Sequence, residues 1–354
     1  MRLLVNGREY GGWTSVRITR GIEAIAGSFE LSVSDRWAIR SEPWPIVEED
    51  ECSVVVLTPG AGVLGTPLIT GYVDGVRLAY DAQSHSISVS GKDRAAELVE
   101  NSALVGKWEF ASTPLLTLAK RLADQHGISV IPGPGYAPRA PQARLAIDPG
   151  ETSYQVFERA CRHAGVLVVS NGLGGIVLLG PGAGGRAPVA LIEGQNILAA
   201  SAEYDATARF RRYVVTGQHH GTDEYNVGVA AVQSEASDPN VRRASRVLMI
   251  RAEATVTQGY AKTRAQWEAS VRAARAGSFS VTVQGWTVDG ALWPVNALVK
   301  LTSPMLRVDA DLLITQATYT LDVGGEKTQL TLRRPDAYRP EPNVPEDPWK
   351  VALT

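Results

Sequence analysis

The stretch VRITRGIEAIAGSFELSVSDRW, residues 16–37, constrains the fold more than any other part of the chain. Val16 and Ile18, then Phe29, Leu31 and Val33, alternate with Arg17, Thr19, Glu30, Ser32 and Ser34. Apolar side chains at every second position put one face of an extended strand on a core and the other on solvent. Two half-buried strands are therefore expected. The loop between them, GIEAIAGS, carries Ile22 and Ile25 and is closed by glycines at its ends. Isoleucines in a loop need a cover, supplied by their own domain or by a partner. The hairpin is expected to found a small β-barrel that assembles with other copies of itself.

The rest of residues 1–92 reads the same way. Asn6-Gly7 turns a hairpin between Leu3–Val5 and Glu9–Tyr10, as that dipeptide favours. Strands are expected at Cys52–Leu57, Leu68–Val73, Val76–Tyr80 and Ser86–Ser90, with Asp74-Gly75 as a tight turn. Many short strands with frequent turn signals argue for a barrel or sandwich. A short helix over Lys92–Glu100 is expected to close the unit, giving a first barrel domain at 1–105.

Residues 106–186 change character. Thr113-Pro114 starts a helix with threonine as cap and proline at the first position. Leu115, Leu118, Ala119, Leu122 and Ala123 form its apolar stripe, Gly127 ends it, and Ile128–Ile131 is a strand. Thr152 or Ser153 caps a second helix with Val156, Phe157, Ala160 and Cys161 on one face; Gly165 ends it before the strand Val166–Val169. At a shift of 38 the two units align, Leu118 on Val156 and Gly127 on Gly165, a small duplicated α/β domain. NGLGG then turns into the strand Ile176–Leu179.

A second β-barrel is expected from residues 187–220 and 279–335, interrupted by an insertion at 221–278. Asp223–Asn240 is polar and turn-rich, and a long helix follows over Thr257–Ala276, with Tyr260, Arg264, Trp267, Val271 and Ala274 on one face and Lys262, Arg272 and Arg275 off it. Leu312–Leu321 and Lys327–Leu332 form the last hairpin, turned by Gly324-Gly325. At a shift of 243 it repeats the last hairpin of the first barrel: Val76 falls on Tyr319, Leu78 on Leu321, Ile87 on Leu330, Val89 on Leu332 and Asp93 on Asp336. Prolines 335, 340, 342, 345 and 348 mark residues 336–354 as an extended tail or partner-binding arm. The fold class is thus α+β, mainly β: two similar small antiparallel barrels, a small α/β domain between them, and a helix-containing insertion in the second.

Composition excludes several roles. A formal net charge of −2 argues against a protein that grips nucleic acid by neutralising phosphates. Two cysteines, Cys52 and Cys161, lie far apart, so no structural disulfide and a reducing compartment are expected. MRLLVNGREY lacks the apolar core of a signal peptide, and no run approaches the roughly 18 apolar residues of a membrane span, so synthesis in a cytoplasm is expected.

No constellation carries chemistry. His219-His220 with Asp223 and Glu224 is the nearest thing to a metal site, but adjacent strand residues point to opposite faces. Gly172, Gly174 and Gly175 follow a strand, yet a strand rather than a helix comes next, so phosphate would meet no helix N-terminus. No GxxxxGK[ST] or GxSxG occurs. The acidic run Glu48, Glu49, Asp50 and Glu51, like Asp223-Glu224, is not held by a helix or strand that would fix two carboxyls about 5–9 Å apart. Neither a catalytic group nor a cofactor or metal is expected.

The opening NGREYGGWTSVRITRGIEAIAGSFELSVSDRW, residues 6–37, resembles the N-terminus of the baseplate hub proteins of Mu-like contractile-tailed phages, the tail protein P family. GWTVDGALWPVNALVKLTSP, Gly285–Pro304, is similar to that family's second barrel. Related hubs occur in R-type bacteriocins and other contractile injection systems. The resemblance implies a non-enzymatic homotrimer in the virion's tail baseplate, assembled in the bacterial host cytoplasm. It would join a six-fold tail tube protein above to a trimeric spike protein below, touch other baseplate proteins, and enclose a channel. Two barrels per chain would let three chains present six near-equivalent units. Such a ring needs heterologous contacts and, if obligate, a largely apolar interface of roughly a few thousand Å². Ile22, Ile25, Phe29, Trp37 and Trp44 are the expected contact residues, the alternative being that they fill the barrel interior. The rival reading is a tail-associated peptidoglycan hydrolase or cell-wall-binding protein, which a muralytic assay separates from a hub.

Overall fold

A computed structural model describes residues 1–34, 44–57, 65–81, 85–106, 108–142, 144–218, 231–252 and 257–342. Trp37 and the His219-His220-Asp223-Glu224 cluster lie outside the described residues. The chain divides into two compact units, one of residues 1–201 with 279–332 and one of residues 202–278 with 333–354.

The first unit is dominated by strands. Ser15–Gly21 and Ser28–Ser34 pair antiparallel, Val16 opposite Leu31 and Ile18 opposite Phe29. Period two then decides burial: Val16, Ile18, Phe29 and Leu31 are all buried, while Arg17 and Glu30, also opposite one another, are exposed. From this hairpin the sheet continues in both directions. On one side lie His85–Asp93, Thr66–Tyr80, Glu51–Val56, Arg2–Val5 and Arg8–Tyr10; on the other, Val308–Asp322, Gly325–Arg333, Gly277–Gln284 and Ala199–Tyr204. The strands expected in two separate barrels are hydrogen-bonded into one 13-stranded sheet.

Asp74-Gly75 is not a turn. Thr66–Tyr80 is a single strand of 15 residues, and the dipeptide sits at a bulge where the pairing with His85–Asp93 shifts between Val73 and Gly75. The expected helix over Lys92–Glu100 is also shorter. The strand runs to Asp93, which caps a 3-10 turn at Arg94–Ala96 by accepting from the Ala95 amide at 2.9 Å, and one helical turn follows at Glu97–Glu100.

The same unit holds the α/β portion. Helix Leu115–Asp124 buries the five stripe residues read from the sequence. Its N-cap is Pro114 rather than Thr113, whose hydroxyl instead donates to the Ala111 carbonyl at 3.1 Å. Helix Ser153–Ala164 starts with a full capping box: Thr152 accepts from the Gln155 amide, and the Gln155 side chain accepts from the Thr152 amide. Gly165 closes it at φ +71°, where a glycine is strain-free. Leu167–Ser170 and Ile176–Leu179 form the antiparallel hairpin, and Val130–Pro132 adds to it in parallel. Both helices and these strands share one core that includes Leu118, Leu122, Val156, Phe157, Ile176 and Leu178.

The second unit has its own small core. Arg212–Gln218 is central, antiparallel to Ala231–Ser237 and parallel to Val247–Arg251. Ala231–Ser237 lies inside the stretch read as polar and turn-rich; its sequence, AVQSEAS, has too few apolar positions to signal a strand. Helix Gln258–Arg275, capped by Thr257, covers this sheet with Tyr260, Ala261 and Ala265 against Val215 and Val232. Arg272 and Arg275 are not a free basic face. Arg264 and Arg272 both pair with the buried Glu268, at 2.9 and 2.7 Å, and the Arg275 Nε donates to the Ala337 carbonyl. Pro335–Tyr338 forms a 3-10 turn that buries Ala337, so the first residues of the expected extended arm are folded.

Candidate functional site

Registers across the long sheet align one polar face. Arg17 opposes Glu30, which opposes Ser90; Ser15 opposes Ser32, which opposes Ser88; Arg77 also opposes Ser88. Thr19 opposes Thr318, and Arg17 opposes Thr320. The hydroxyls bond to each other across strands, Ser32 to Ser88 at 2.6 Å and Thr19 to Thr318 at 3.3 Å. In Gly325–Arg333 and Gly277–Gln284, Gln329 donates to the Ser280 hydroxyl at 2.8 Å, while Leu330, Leu332, Phe279, Val281 and Val283 are buried on the reverse side. A face of short hydroxyl side chains with charges of both signs spans strands from both ends of the sequence.

Strand order reveals a repeat in the structure. In space the first set runs Ser15–Gly21, Ser28–Ser34, His85–Asp93, Thr66–Tyr80, Glu51–Val56. The second runs Ala199–Tyr204, Gly277–Gln284, Gly325–Arg333, Val308–Asp322, Leu298–Ser303. The fourth and third strands of the two sets match in length, 15 and 9 residues in each. A short loop, 22–27, joins the first two strands of one set; residues 205–276 join those of the other.

The two sets meet at a joint. One edge of Val308–Asp322 serves two partners: Val308–Leu313 pairs with Ser303–Leu298, and Gln316–Leu321 with Gly21–Val16. Thr66–Tyr80 has the same length and pairs its first half with Val56–Glu51. Along that edge Gly75–Tyr80 meets no strand among the described residues. The consequence is visible in burial. Tyr319 at the covered joint is 1% exposed, whereas Val76, its counterpart at the 243-residue shift, is half-buried. At the far end of the path, Ala199–Tyr204 pairs with Gly277–Gln284.

Of the residues picked from sequence, Ile22, Ile25 and Phe29 are buried by their own chain. Ile25 joins the α/β core, and the Ile22 amide donates to the Thr315 carbonyl at 2.8 Å, locking the loop beside the joint. Trp44 is half-buried, its ring 6.5 Å from that of Tyr10. The structure brings Ile22, Ile25 and Phe29 into one neighbourhood of the sheet but leaves none of them on a surface. Sequence reading missed the edges Gly75–Tyr80 and Ala199–Tyr204. The signal for the first was the 243-residue shift, which sets Val76 and Leu78 against residues that the joint covers.

The acidic run is a structured turn: Asp50 accepts from the Asn6 side chain at 2.7 Å and the Val47 amide at 2.9 Å, and Glu51 pairs with Arg94 at 2.9 Å. The His126 ring lies 3.3 Å from the Ser153 hydroxyl, the nearest approach to a base–nucleophile pair, but Ser153 is fully buried and also accepts from Gln125 at 2.7 Å. Burial pushes the Cys52 thiol up to about 12 and the Cys161 thiol upward as well, so both stay protonated and unreactive. Among the described residues no three His, Cys, Asp or Glu side chains group as metal ligands, and no helix is long and apolar enough to cross a membrane.

Three stretches match known families: residues 1–93 the N-terminal domain of the Mu phage baseplate assembly protein GpP-like family, 95–180 the second domain of the baseplate hub protein gp44-like family, and 257–341 the fourth domain of Mu phage baseplate assembly protein GpP. The baseplate hub protein gp44 of Escherichia phage Mu is 30% identical over 352 residues, covering 93% of this chain and 86% of the relative. The 43 kDa tail protein of prophage MuSo2 from Shewanella oneidensis matches with a TM-score of 0.83 at 29% identity, over 97% of this chain and 99% of that one. The tail protein from Neisseria meningitidis MC58 shares the fold, with a TM-score of 0.78 at 22% identity over 96% and 98%.

Proposed function

As the chain belongs to the Mu gp44-like family of phage baseplate hub proteins, we propose that three copies close into a ring in which two similar strand sets per chain imitate six units. It is a structural component of the tail baseplate and not an enzyme. In the proposed ring the two strand sets of each chain curve as barrel-like units around a channel. One rim meets the six-fold tail tube and the other the three-fold spike, with other baseplate proteins outside.

The single observation that carries this reading is the repeated strand order with its unequal joint. Among the described residues, each chain has one junction between its sets covered by a strand and one equivalent, Gly75–Tyr80, that no strand covers. A contact that is satisfied inside the chain and open at its counterpart is what a closed ring of pseudo-equivalent units requires. The polar face supports the channel. Short hydroxyls and balanced charges, such as Arg17 opposite Glu30, offer little adhesion to a polyanion passing along them.

In this reading residues 1–105 and 187–204 with 277–333 supply the ring units, and 106–186 and 205–276 are appended to them; Arg212–Gln218, expected from sequence in the second barrel, belongs to the appended sheet because it pairs with Ala231–Ser237 and Val247–Arg251. Ile22, Ile25 and Phe29 act from inside, holding Val16–Gly21 where it meets Gln316–Leu321. Trp37 and Trp44 remain candidates for direct contact. Light scattering on the purified protein tests the proposal: three times the 37.9 kDa chain mass is expected, and a monomer at tens of micromolar would sink it.

A further inference from the structure

We infer that residues 343–354, which lie outside the described residues, dock back into a groove on helix Gln258–Arg275, with Glu346 and Asp347 on its arginines and Trp349 in its apolar part. The inference goes beyond the ring proposed above and stands whether or not the ring closes.

The groove belongs to the second unit alone. Arg264, Trp267, Glu268, Val271, Arg272 and Arg275 recur at the spacing of a single helix face. Ala208, whose carbonyl accepts from Arg272 at 3.4 Å, lines it from the chain before the sheet. The groove holds about 250 Å³, with Trp267 and Val271 as its apolar part. Its charges are unevenly matched. Arg264 and Arg272 share Glu268, and Arg264 also pairs with Glu341. Asp205 turns its carboxylate to the Thr207 amide at 2.7 Å. Arg275 has no carboxylate among the described residues and uses only its Nε, on the Ala337 carbonyl at 3.2 Å.

The course of the chain selects the occupant. Ala337, Arg339 and Glu341 bind Arg275, Trp267 and Arg264 in turn, the Trp267 Nε1 donating to the Arg339 carbonyl at 2.9 Å. This strap runs back along the helix and brings Pro342 to the Arg264 end of the groove. Arg264 and Arg275 are about 16 Å apart along the helix axis, and the stretch from Pro342 to Asp347 spans up to about 17 Å, so both acids can return to Arg272 and Arg275. The segment reads NVPEDPWKVALT. It offers two carboxylates to the arginine that lacks one, and Trp349, Val351 and Leu353 are large apolar side chains that need a cover. Because Glu341 already ties its base to the groove, the segment is an intramolecular ligand, an advantage that a neighbour's tail does not have.

Cysteine pairs in the full chain test the docking. Ala208→Cys, in the groove, is combined with Lys350→Cys. Lys262→Cys, exposed on the same helix but outside the groove, is the control partner for the same tail position. The native thiols are buried and give no background. Under mild oxidation the Ala208 pair is expected to close within one chain about tenfold faster than the Lys262 pair, read by peptide mapping of the monomer band. Glu346→Lys with Asp347→Lys, which alters none of the described residues, is expected to remove that advantage, and adding Arg275→Glu to restore part of it, since opposite charges then face each other again. Equal rates for the two pairs overturn the docking. Disulfide-linked dimers through the Ala208 pair overturn it in favour of a neighbour's tail, and an advantage that survives the charge reversal overturns the pairing of acids with arginines.

Discussion

Hairpins Thr66–Asp93 and Val308–Arg333 are near-copies in length and position, yet one is packed along an edge that the other leaves open. At equivalent places Tyr319 is 1% exposed, its hydroxyl donating to the Trp293 carbonyl at 3.0 Å, while Val76 is half-buried. Alternation alone cannot tell these fates apart, because it assigns a side chain to a face and says nothing of what lies beyond the strand's edge. The difference is made by the neighbour. In one case that is Val16–Gly21, from the far end of the sequence.

The largest expected effect breaks the likeness at its interior. Gly71 falls on Ile314 at the 243-residue shift, and Ile314 is fully buried. Gly71 is glycine because its strand lies against the turn after Asp93: a Cβ there would overlap the Lys92 carbonyl oxygen and come within 2.7 Å of the Arg94 amide nitrogen. Backbone cannot yield as a side-chain tip can. Gly71→Ile, which installs the residue of the second set, is expected to cost about 3 kcal/mol, read as a shift of the urea midpoint. An unchanged midpoint would mean that the two hairpins are interchangeable inside as well as in outline.

The next effect sharpens the comparison at the edge. Tyr319→Ala removes a fully buried ring that stacks edge-on against Trp286 at 6.2 Å, and should cost about 3–5 kcal/mol. Burial also pushes the Tyr319 phenol up to about 12, so it stays a neutral donor throughout the working pH range. Val76→Ala, at the equivalent place, should cost less than about 1 kcal/mol in dilute protein. Equal losses at the two places in dilute protein would contradict the open edge.

Much of this was legible in the sequence, for identifiable reasons. Both α/β helices carry an apolar stripe, the second of them and the long helix a threonine cap, and position 165 a glycine in the left-handed region. What failed was local signal overruled by partners. Asp74-Gly75 has turn chemistry, but His85–Asp93 runs unbroken alongside it and absorbs the dipeptide as a bulge. Ala231–Ser237 and Val247–Arg251 are strands because Arg212–Gln218 lies between them, not because their patterns are strong. The candidate site was half visible. Period two predicted a polar face, and the 243-residue shift predicted a repeat. Ile22 and Ile25 demanded a cover, but periodicity could not say that it would be their own chain.

The smallest expected effect concerns the aspartate at the 3-10 turn that follows each third strand. Asp93 and Asp336 align at the 243-residue shift and both sit at a 3-10 turn, but Asp336 is exposed and pairs with Arg339 at 2.9 Å, whereas Asp93 is 1% exposed. Burial raises the Asp93 carboxyl above its ordinary range, and the bonds from the Ser170 hydroxyl and the Ala95 amide only partly oppose this. The folded state therefore takes up a proton at higher pH than the unfolded chain does. Its contribution to stability is fully present below the unfolded value of 3.8 and is lost as pH rises through the folded value, the reverse of a salt-bridged carboxylate. Asp93→Asn keeps an acceptor for the Ala95 amide, sets an NH2 donor against the Ser170 hydroxyl oxygen, and removes the titration. Subtracting the variant's urea stability from the parent's between pH 4 and 7 should give a difference that shrinks steadily as pH rises.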